Sequence, residues 1–461
     1  MGATRELAAW AAGTVFPAMP PEVIGRARTA IIDTIGVILV GTTQPVTRIV
    51  AEVVAEDACR PVASQLGTGF KTSPENAALL NGVSGHALDF DDVSGSVEGH
   101  PSVVILPAAL ATAELVGASG SELVEAYVIG VEVMSKLGLA MGAAHYQAGW
   151  HATSTLGTIG AAVAAARLLG LDADHVQMAI AIAVSEASGS RQNFGTMTKP
   201  FHAGHAARCG VHAARLAAKG MTASMEALEG PLGYFALLSR GEGAAAQVGA
   251  SLGRPWDLEG VGFSVKKYPC CFAIHRAADG LLDILSERAI RPSEVEAISV
   301  TVPGGGLSPL IYDQAVTGLE GKFCMRYVLA AALLDGRVAL ETFTDDMVQR
   351  PEIRRLQQLV QVREDRGIQV RHSPFDEGHV LVQVRLTDGS QALRRVEQPL
   401  GSPANPLDRA QLEAKYRDCA RTVLDQSQVE CSLASLEALE ALPAVAALVE
   451  QLTPAGEAAR R

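Results

Sequence analysis

The chain has 461 residues, of which 48% are hydrophobic and 19% are charged. This composition is typical of a compact globular protein, large enough for two or three domains. The formal net charge of -12 argues against sequence-independent binding to nucleic acid. No apolar run reaches the ~18 residues that a membrane span needs, so we expect neither a nucleic-acid nor a membrane partner.

Residues 1–265 carry a succession of helical patterns. In the first, over residues 21–40, apolar side chains recur three and four positions apart after a proline. The same spacing predicts helices over residues 75–88, 103–116, 121–139, 154–169, 172–187 and 202–219. Ser121 and Asp172 are predicted N-caps, and Gly170 is a predicted C-terminal stop.

After about residue 265 the pattern becomes mixed. Residues 295–302, 379–386 and 391–396 predict strands, and the last two are separated by a turn and form a hairpin. Helices are predicted over residues 273–288 and 326–334, and helical spacing returns over residues 407–452. We therefore predict a mainly α fold. A large all-helical domain (1–265) carries a smaller α/β lid domain (266–402), and C-terminal helices (403–461) return to the helical domain.

The N-terminal sequence and the cysteines indicate the cellular compartment of the protein. No secretory signal is visible at the N-terminus. The seven cysteines are an odd number without a disulfide framework. Since thiols persist in reducing compartments, we predict a cytoplasmic protein.

Titratable side chains concentrate in one short segment. Asp89, Asp91 and Asp92 precede His100 in an otherwise apolar, alanine-rich stretch. Because desolvating charge is costly, this cluster indicates either a catalytic site or the solvated end of a helix. On a helix, Asp89 and Asp92 would share one face and Asp91 would point elsewhere.

Three further blocks combine titratable residues with glycine or proline. His151 precedes a predicted helix, whose N-terminal dipole favours a neutral imidazole suited to a general base; simple capping is the alternative. Lys199 lies just before the helix predicted to begin after Pro200, which suits a carboxylate site or, alternatively, an ordinary surface lysine. Lys266 and Cys271 lie at the predicted domain junction, where pockets are common.

One row of potential metal ligands needs a separate interpretation. His202, His205, Cys209 and His212 follow one face of a predicted helix. At a rise of 1.5 Å per residue, these four positions span ~15 Å along a straight helix. They cannot converge on one ion, so we predict no metal site.

Taken together, the blocks resemble the MmgE/PrpD family, whose members include 2-methylcitrate dehydratases, cis-aconitate decarboxylases and iminodisuccinate epimerases. The resemblance is carried by HALDFDDV with the following GHPS and VVILPAALATAE, by GWHATSTLGTIGAA, by FGTMTKPFHAGHAARCGVHAA, by KKYPCCFAIH and by KFCMRYVLAAALLDG. These segments extend from about residue 30 to 340. The resemblance implies a homodimer with an α/β lid, and catalysis without a metal or organic cofactor.

The resemblance also implies an active site between the helical domain and the lid. By matching motif, it gives catalytic roles to His100, His151, Lys199, Asp92 and Tyr327, and substrate-binding roles to Asp89, Lys266, His202 and Cys271. Two positions depart from the family pattern. Val93 stands where many relatives have a threonine hydroxyl, and Cys271 stands where decarboxylating members carry a histidine.

The chemistry that the family shares is proton transfer at a carbon next to a carboxylate. Lys199, Lys266 and a protonated imidazole would stabilise the resulting dianion, and His151 or His100 would be the general base. We predict a hydro-lyase of the 2-methylcitrate dehydratase type, acting on a small di- or tricarboxylate. An epimerase of an iminodisuccinate-like dicarboxylate is the second choice, and a cis-aconitate-type decarboxylase is the third. The non-enzymatic alternative is a carboxylate-binding protein that has lost turnover.

Overall fold

The computed structural model describes residues 2–370, 374–375 and 377–454. It is 55% helix and 9% strand, which confirms a mainly α fold with a smaller α/β part. Residues 455–461 of the predicted C-terminal segment lie outside the described residues. No helix in the described part of the chain combines the length and the apolar character that a membrane span requires.

The N-terminal part folds into helices joined mostly by short loops. They are α1 (Ala3–Gly13), α2 (Pro21–Gly41), α3 (Pro45–Ala55), α4 (Pro74–His86), α5 (Ser102–Val116), α6 (Gly120–Met141), α7 (Ala143–Gln147), α8 (Ala152–Leu168), α9 (Ala173–Glu186), α10 (Thr198–Ala217), α11 (Tyr234–Leu238) and α12 (Ala246–Ala250). A short antiparallel pair, β1 (Ala63–Ser64) and β2 (Lys71–Thr72), lies between α3 and α4.

Small residues let the central helices pack closely. A Cβ atom at Gly82 of α4 would lie 2.6 Å from the Cα atom of Gly204 in α10, so only glycine fits at this crossing. Helix α8, which also packs against α10, is buried over residues 152–166. The alanine and glycine content of the chain therefore places the end of α4 and the starts of α8 and α10 side by side.

Three residues that were predicted to begin or end helices can be compared with the structure. The predicted N-cap Ser121 is wrong, because Ser119 caps α6 in a reciprocal capping box with Glu122. The side chain of Asp172 does cap α9, as predicted. Gly170 follows α8 with a φ of 67°, which confirms it as the residue that terminates this helix.

The second part of the chain forms a four-stranded sheet with helices. Its elements are α13 (His275–Glu287), β3 (Val295–Pro303), α14 (Gly318–Gly321), α15 (Met325–Asp335), α16 (Asp345–Gln349), α17 (Pro351–Gln357), β4 (Val360–Asp365), β5 (Val380–Leu386) and β6 (Gln391–Val396). The strand order is β4-β3-β5-β6, with β3 parallel to β4 and the other pairs antiparallel. Val300 of β3 pairs with Val362 on one side and with Val382 on the other.

The sequence did not predict β4. This edge strand reads VQVRED, and it is fully buried only at Val360. A charged edge strand lacks the alternation of apolar and polar residues that identifies a strand in the sequence. The other predicted strands are present, and the α/β unit has its own apolar core, in which α13 and α15 pack together.

The chain then returns to the helical part. Helices α18 (Arg409–Ala420) and α19 (Gln426–Glu437) pack against α2, and α20 (Ala446–Gln451) follows. Residues 412–452 share the large apolar core of the N-terminal helices. The predicted domain boundaries at residues 265/266 and 402/403 stay predictions.

Candidate active site

The three aspartates of the predicted cluster lie on a loop rather than on a helix. Helix α4 ends at His86, and Asp89 adopts a φ of 52°, a conformation that non-glycine residues rarely occupy. The prediction that Asp89 and Asp92 share a helix face is therefore wrong. Each of the three carboxylates faces different partners, and Asp91 is as much a part of the cluster as the other two.

Asp89 lies between two buried ammonium groups. Its Oδ1 is 2.5 Å from Lys199 Nζ and its Oδ2 is 3.1 Å from Lys266 Nζ. All three side chains are buried. Burial by itself would raise the pKa of Asp89, but the attraction of Lys199 and Lys266 holds that pKa well below its ordinary value. Asp89 is therefore an ionised carboxylate shared by two lysines.

The position of Lys199 differs from the predicted one. Helix α10 begins at Thr198, before Pro200, so Lys199 lies in its first turn. Proline is tolerated there because the first N–H groups of a helix have no partner within the helix. Lys199 is 3% exposed, which excludes the alternative of a surface lysine. Its Nζ also lies 5.4 Å and 5.3 Å from the ring centroids of Phe194 and Phe323.

Asp91 orients two imidazoles. His86 Nδ1 lies 2.9 Å and His100 Nδ1 3.0 Å from Asp91 Oδ2, and His100 Nδ1 is also 2.8 Å from the carbonyl oxygen of Asp92. Since a carboxylate and a carbonyl can only accept, Nδ1 of His100 carries the proton and its Nε2 carries the lone pair. Burial lowers the pKa of His100 against the opposing effect of Asp91. The result is a neutral imidazole whose basic nitrogen is fixed in orientation.

His151 is the N-cap residue of α8, but its side chain makes no capping hydrogen bond. The capping alternative is therefore excluded. Its Nδ1 lies 3.1 Å from Nδ1 of His202, and its buried Nε2 has no hydrogen-bond partner among the residues that the structure describes. Burial and the nearby Lys199 ammonium hold the pKa of His151 well below its ordinary value. A second neutral imidazole thus lies beside the lysines.

These groups meet at one crevice, whose empty space is about 540 Å³ including its opening to solvent. Residues of both parts of the chain line it. The predicted residues that line it are Asp89, His100, His151, Lys199, Lys266 and Cys271. The same crevice also has an apolar lining, formed by Val93, Phe194, Phe272, Ala273, Pro309, Phe323 and Phe375.

Three predicted site residues do not line this crevice. Asp92 is buried behind it, where it accepts hydrogen bonds from Ser102, and burial raises its pKa to about 8. His202 lies behind His151. The hydroxyl of Tyr327 donates to the carbonyl of Thr342 inside the α/β unit. The structure thus gives Asp92 and His202 supporting positions and places Tyr327 in a separate core.

Several crevice and supporting residues received no predicted role. His86 and Asp91 belong to the quoted HALDFDDV segment, yet nothing in their spacing showed that Asp91 bridges two imidazoles. The rings of Phe194 and Phe323 come from segments far apart in the chain, and Tyr146 lines the crevice from a short helix. Only the tertiary structure brings these residues together.

The histidines and aspartates of the site are also potential metal ligands. Ligand atoms of His86, Asp89, Asp91 and His100 lie within 4.8 Å of one another. The Asp89 carboxylate already faces two ammonium groups, and Asp91 already accepts from two imidazoles. A dication would have to displace these partners and lie next to two lysines, so the donor set fits a metal poorly.

The other candidate ligand row lies along α10. His205 and Cys209 of this row contact each other, whereas His202 contacts His151 and Nδ1 of His212 lies 2.8 Å from Glu186 Oε1. The four side chains thus face three different environments.

The arrangement fits a small polyanion. Two ammonium groups can bind carboxylates, and two neutral imidazoles can accept or relay protons. Apolar side chains beside these groups lower the local polarity and strengthen the electrostatic interactions inside. Proton transfer next to a bound carboxylate is the chemistry that these groups support.

Comparison with known proteins gives a consistent result. Two family models match the chain, the MmgE/PrpD N-terminal domain over residues 5–247 and the MmgE/PrpD C-terminal domain over residues 268–441. The chain is 30% identical to the cis-aconitate decarboxylase of Homo sapiens over 422 residues, 89% of this chain and 86% of the relative. It is 28% identical to the cis-aconitate decarboxylases of Mus musculus, with coverages of 91% and 87%, and of Aspergillus terreus, with coverages of 93% and 91%. The chain therefore belongs to the MmgE/PrpD family.

Proposed function

We propose that this protein is a lyase that acts on a small tricarboxylate without a metal or organic cofactor. The observation that carries the proposal is the buried group of Asp89, Lys199 and Lys266 beside two neutral imidazoles. Such a site binds carboxylates and stabilises negative charge that develops on the adjacent carbon.

Loss of carbon dioxide from a cis-aconitate-like acid is our first candidate reaction. It is supported by the relatives, which carry the name cis-aconitate decarboxylase and align over most of both chains. This ranking differs from the one based on sequence alone, which placed dehydration first and decarboxylation third. The apolar lining of the crevice also suits decarboxylation, because an apolar surround destabilises a localised carboxylate relative to the transition state, in which its charge is dispersed.

In that reaction, the bond between the substrate carbon and the departing carboxylate breaks. The electron pair stays on the carbon, delocalises towards a remaining carboxylate and is stabilised there by Lys199 and Lys266. An imidazolium then delivers a proton to the carbon. Since His100 and His151 are neutral in the unliganded protein, we expect the bound polyanion to draw a proton onto one of them.

Loss of water from a hydroxylated tricarboxylate is the second candidate, and two observations favour it. First, neutral His100 and His151 are ready to accept a proton from carbon without any preceding protonation. Second, Cys271 lines the crevice where decarboxylating members have histidine, and burial raises its thiol pKa to about 11. A protonated thiol could give its proton to the departing hydroxyl as the carbon–oxygen bond breaks.

The test is to incubate the purified protein separately with cis-aconitate, 2-methylcitrate and iminodisuccinate in deuterated water, followed by NMR. Decarboxylation gives carbon dioxide and an unsaturated dicarboxylate. Dehydration gives a new carbon–carbon double bond, and epimerisation exchanges deuterium into unconverted substrate. If none of these acids reacts but they raise the melting temperature, the protein is a carboxylate-binding protein and the proposal is overturned.

A matched pair of variants ties any activity to the crevice. Lys199→Ala removes an ammonium group from the site and should lower turnover at least ~10²-fold, because charge stabilisation in the transition state is lost. Lys219→Ala, on an exposed lysine just past the end of the same helix, should retain normal turnover. Equal activity of the two variants would remove Lys199 from the mechanism.

We also propose that the protein works as a homodimer, as the family resemblance implies. Sedimentation or light scattering at micromolar concentration measures this directly. A monomeric mass with full activity would overturn the proposal.

A further inference from the structure

Two chain segments of the site are held together by lysine side chains that do not line the crevice. The first segment is the Asp89 loop, residues 88–90, and the second is residues 266–269, which lead into the α/β unit. The three consecutive carbonyls of residues 88–90 each accept from a different buried lysine: Leu88 from Lys322, Asp89 from Lys266 and Phe90 from Lys415.

Two of these lysines bridge the segments in the same way. Lys322 Nζ lies 2.7 Å from the carbonyl oxygen of Leu88 and 2.8 Å from that of Pro269. Lys415 Nζ lies 2.9 Å from the carbonyl oxygen of Phe90 and 2.8 Å from that of Lys266. Each ammonium thus joins one carbonyl of the Asp89 loop to one carbonyl of the second segment.

The two bridges start from different parts of the fold. Lys415 belongs to α18, on the helical side, and its ammonium has a carboxylate counterion, Asp33 Oδ1, at 2.6 Å. Lys322 precedes α15 in the α/β unit, and its own carbonyl accepts from the backbone N–H of Cys271. Lys322 therefore connects the α/β unit to the Asp89 loop through hydrogen bonds.

The Lys322 ammonium is poorly compensated. Within the described ranges, no carboxylate forms an ion pair with it at 4.0 Å or less, and it is 3% exposed. Besides the two carbonyls, it faces the ring of Phe343 at 4.4 Å. Burial lowers its pKa to about 7, against the attraction of Asp89. A buried amino group with two carbonyl acceptors is costly to keep where an apolar side chain would pack, which argues for a role in fixing the loop.

We propose that Lys322 is a positioning residue, which docks the α/β unit onto the Asp89 loop and so fixes the carboxylate that holds Lys199 and Lys266. Asp89 also has a left-handed backbone with a φ of 52°, a conformation that costs energy in a non-glycine residue and persists where the surrounding structure holds it. The role in turnover rests on the proposed function, whereas the role in holding the loop does not.

The experiment compares Lys322→Met, Lys322→Arg and a control, Lys267→Met. Lys267 lies in the second segment, residues 266–269, but its side chain is 38% exposed and pairs with Asp279 away from the crevice. Hydrogen–deuterium exchange of peptides that cover residues 88–93 is measured without substrate. In parallel, kcat and KM are measured with cis-aconitate and 2-methylcitrate, at a temperature where every variant is folded.

We expect Lys322→Met to raise exchange in residues 88–93 and to lower kcat ~10²-fold, since small displacements of catalytic groups cost this much. KM should change far less than kcat, and Lys322→Arg should recover most of the loss because it keeps the charged donor. Lys267→Met should match the wild type in both measurements.

Each other outcome has a defined meaning. Unchanged exchange in Lys322→Met overturns the proposal, and raised exchange with unchanged kcat reduces Lys322 to a structural residue, which also overturns it. If the wild type converts no polycarboxylate, the proposed function fails, while the exchange data still decide whether Lys322 holds the loop. If Lys322→Met does not fold, Lys322→Gln, which keeps a neutral donor, replaces it in the same comparison.

Discussion

The charge balance around Asp89 gives a prediction that needs no knowledge of the substrate. Asp89→Asn keeps the shape of the side chain but removes its charge. Lys199 and Lys266 lie 2.5 Å and 3.1 Å from this carboxylate and would be left buried without it. Removing one partner of a buried ion pair costs about 3–5 kcal/mol. At about 2.1 cal/mol/K per residue, 461 residues give an unfolding entropy near 1 kcal/mol/K, so the melting temperature should fall by about 3–5 °C.

A bound polyanion should reverse much of this loss. Its carboxylates supply the missing negative charge between the two ammonium groups, whereas in the wild type they compete with Asp89 for the same groups. We therefore expect a saturated tricarboxylate such as tricarballylate to raise the melting temperature of Asp89→Asn more than that of the wild type. The assay is differential scanning fluorimetry over a concentration series of this acid.

The matched control is Asp174→Asn. Asp174 pairs with Arg5 on the surface, and its side chain is 78% exposed, so the loss should be at most about 1 kcal/mol. The reasoning is refuted if Asp89→Asn melts together with Asp174→Asn and responds to tricarballylate no more than the wild type does. That result would mean that the two lysines carry no uncompensated charge in the crevice.

Three further predictions follow from the same geometry. His151→Gln should abolish activity with a melting temperature close to that of the wild type, because His151 makes no capping bond; a large loss of stability instead would restore the capping interpretation. Treatment with EDTA followed by gel filtration should leave activity unchanged, and a loss that Zn²⁺ restores would revive a metal site. Acid should remove the stability that the two buried histidines contribute: burial lowers the pKa of His86 to about 3 and of His202 to about 4, below the ordinary 6.5, so the unfolded chain binds these protons first. This contribution is fully present above pH ~6.5 and is lost progressively between pH ~6.5 and ~3. Asp92 acts in the opposite direction, because its raised pKa of about 8 lets the folded chain bind a proton first as the pH falls. The histidine contribution is therefore measured as the difference in urea midpoint between the wild type and His202→Gln, and a difference that does not change from pH 7 to pH 5 would contradict this.

Much of the architecture was accessible from sequence patterns. Amphipathic and apolar spacing located the main helices, and alternation located β3, β5 and β6, because these signals are local. The edge strand β4 was missed, since its charged residues hide the alternation. The start of α10 was misplaced by three or four residues, because proline in a first turn reads the same as proline before a helix.

The candidate site could also be predicted only in part. The residue types that carry the chemistry, Asp89, His100, His151 and Lys199, stand out in the sequence because charged groups are rare in such apolar segments. These residues also occur along the chain in the same order as the motifs of the family. Tyr327 shows the limit of this approach, because a motif match could not reveal that its hydroxyl donates to Thr342 in a separate core.

The amino-acid sequence by itself therefore determined which elements form and which chemical groups the chain has to offer. Tertiary structure alone decided their pairing: that Asp91 fixes the tautomer of His100, that Asp89 lies between Lys199 and Lys266, and that Lys322 reaches the loop from the other unit. The physical reason is that local spacing governs hydrogen bonding along the backbone, whereas burial and charge act between groups that the fold brings together, and most of these pairs are more than a hundred residues apart in the chain.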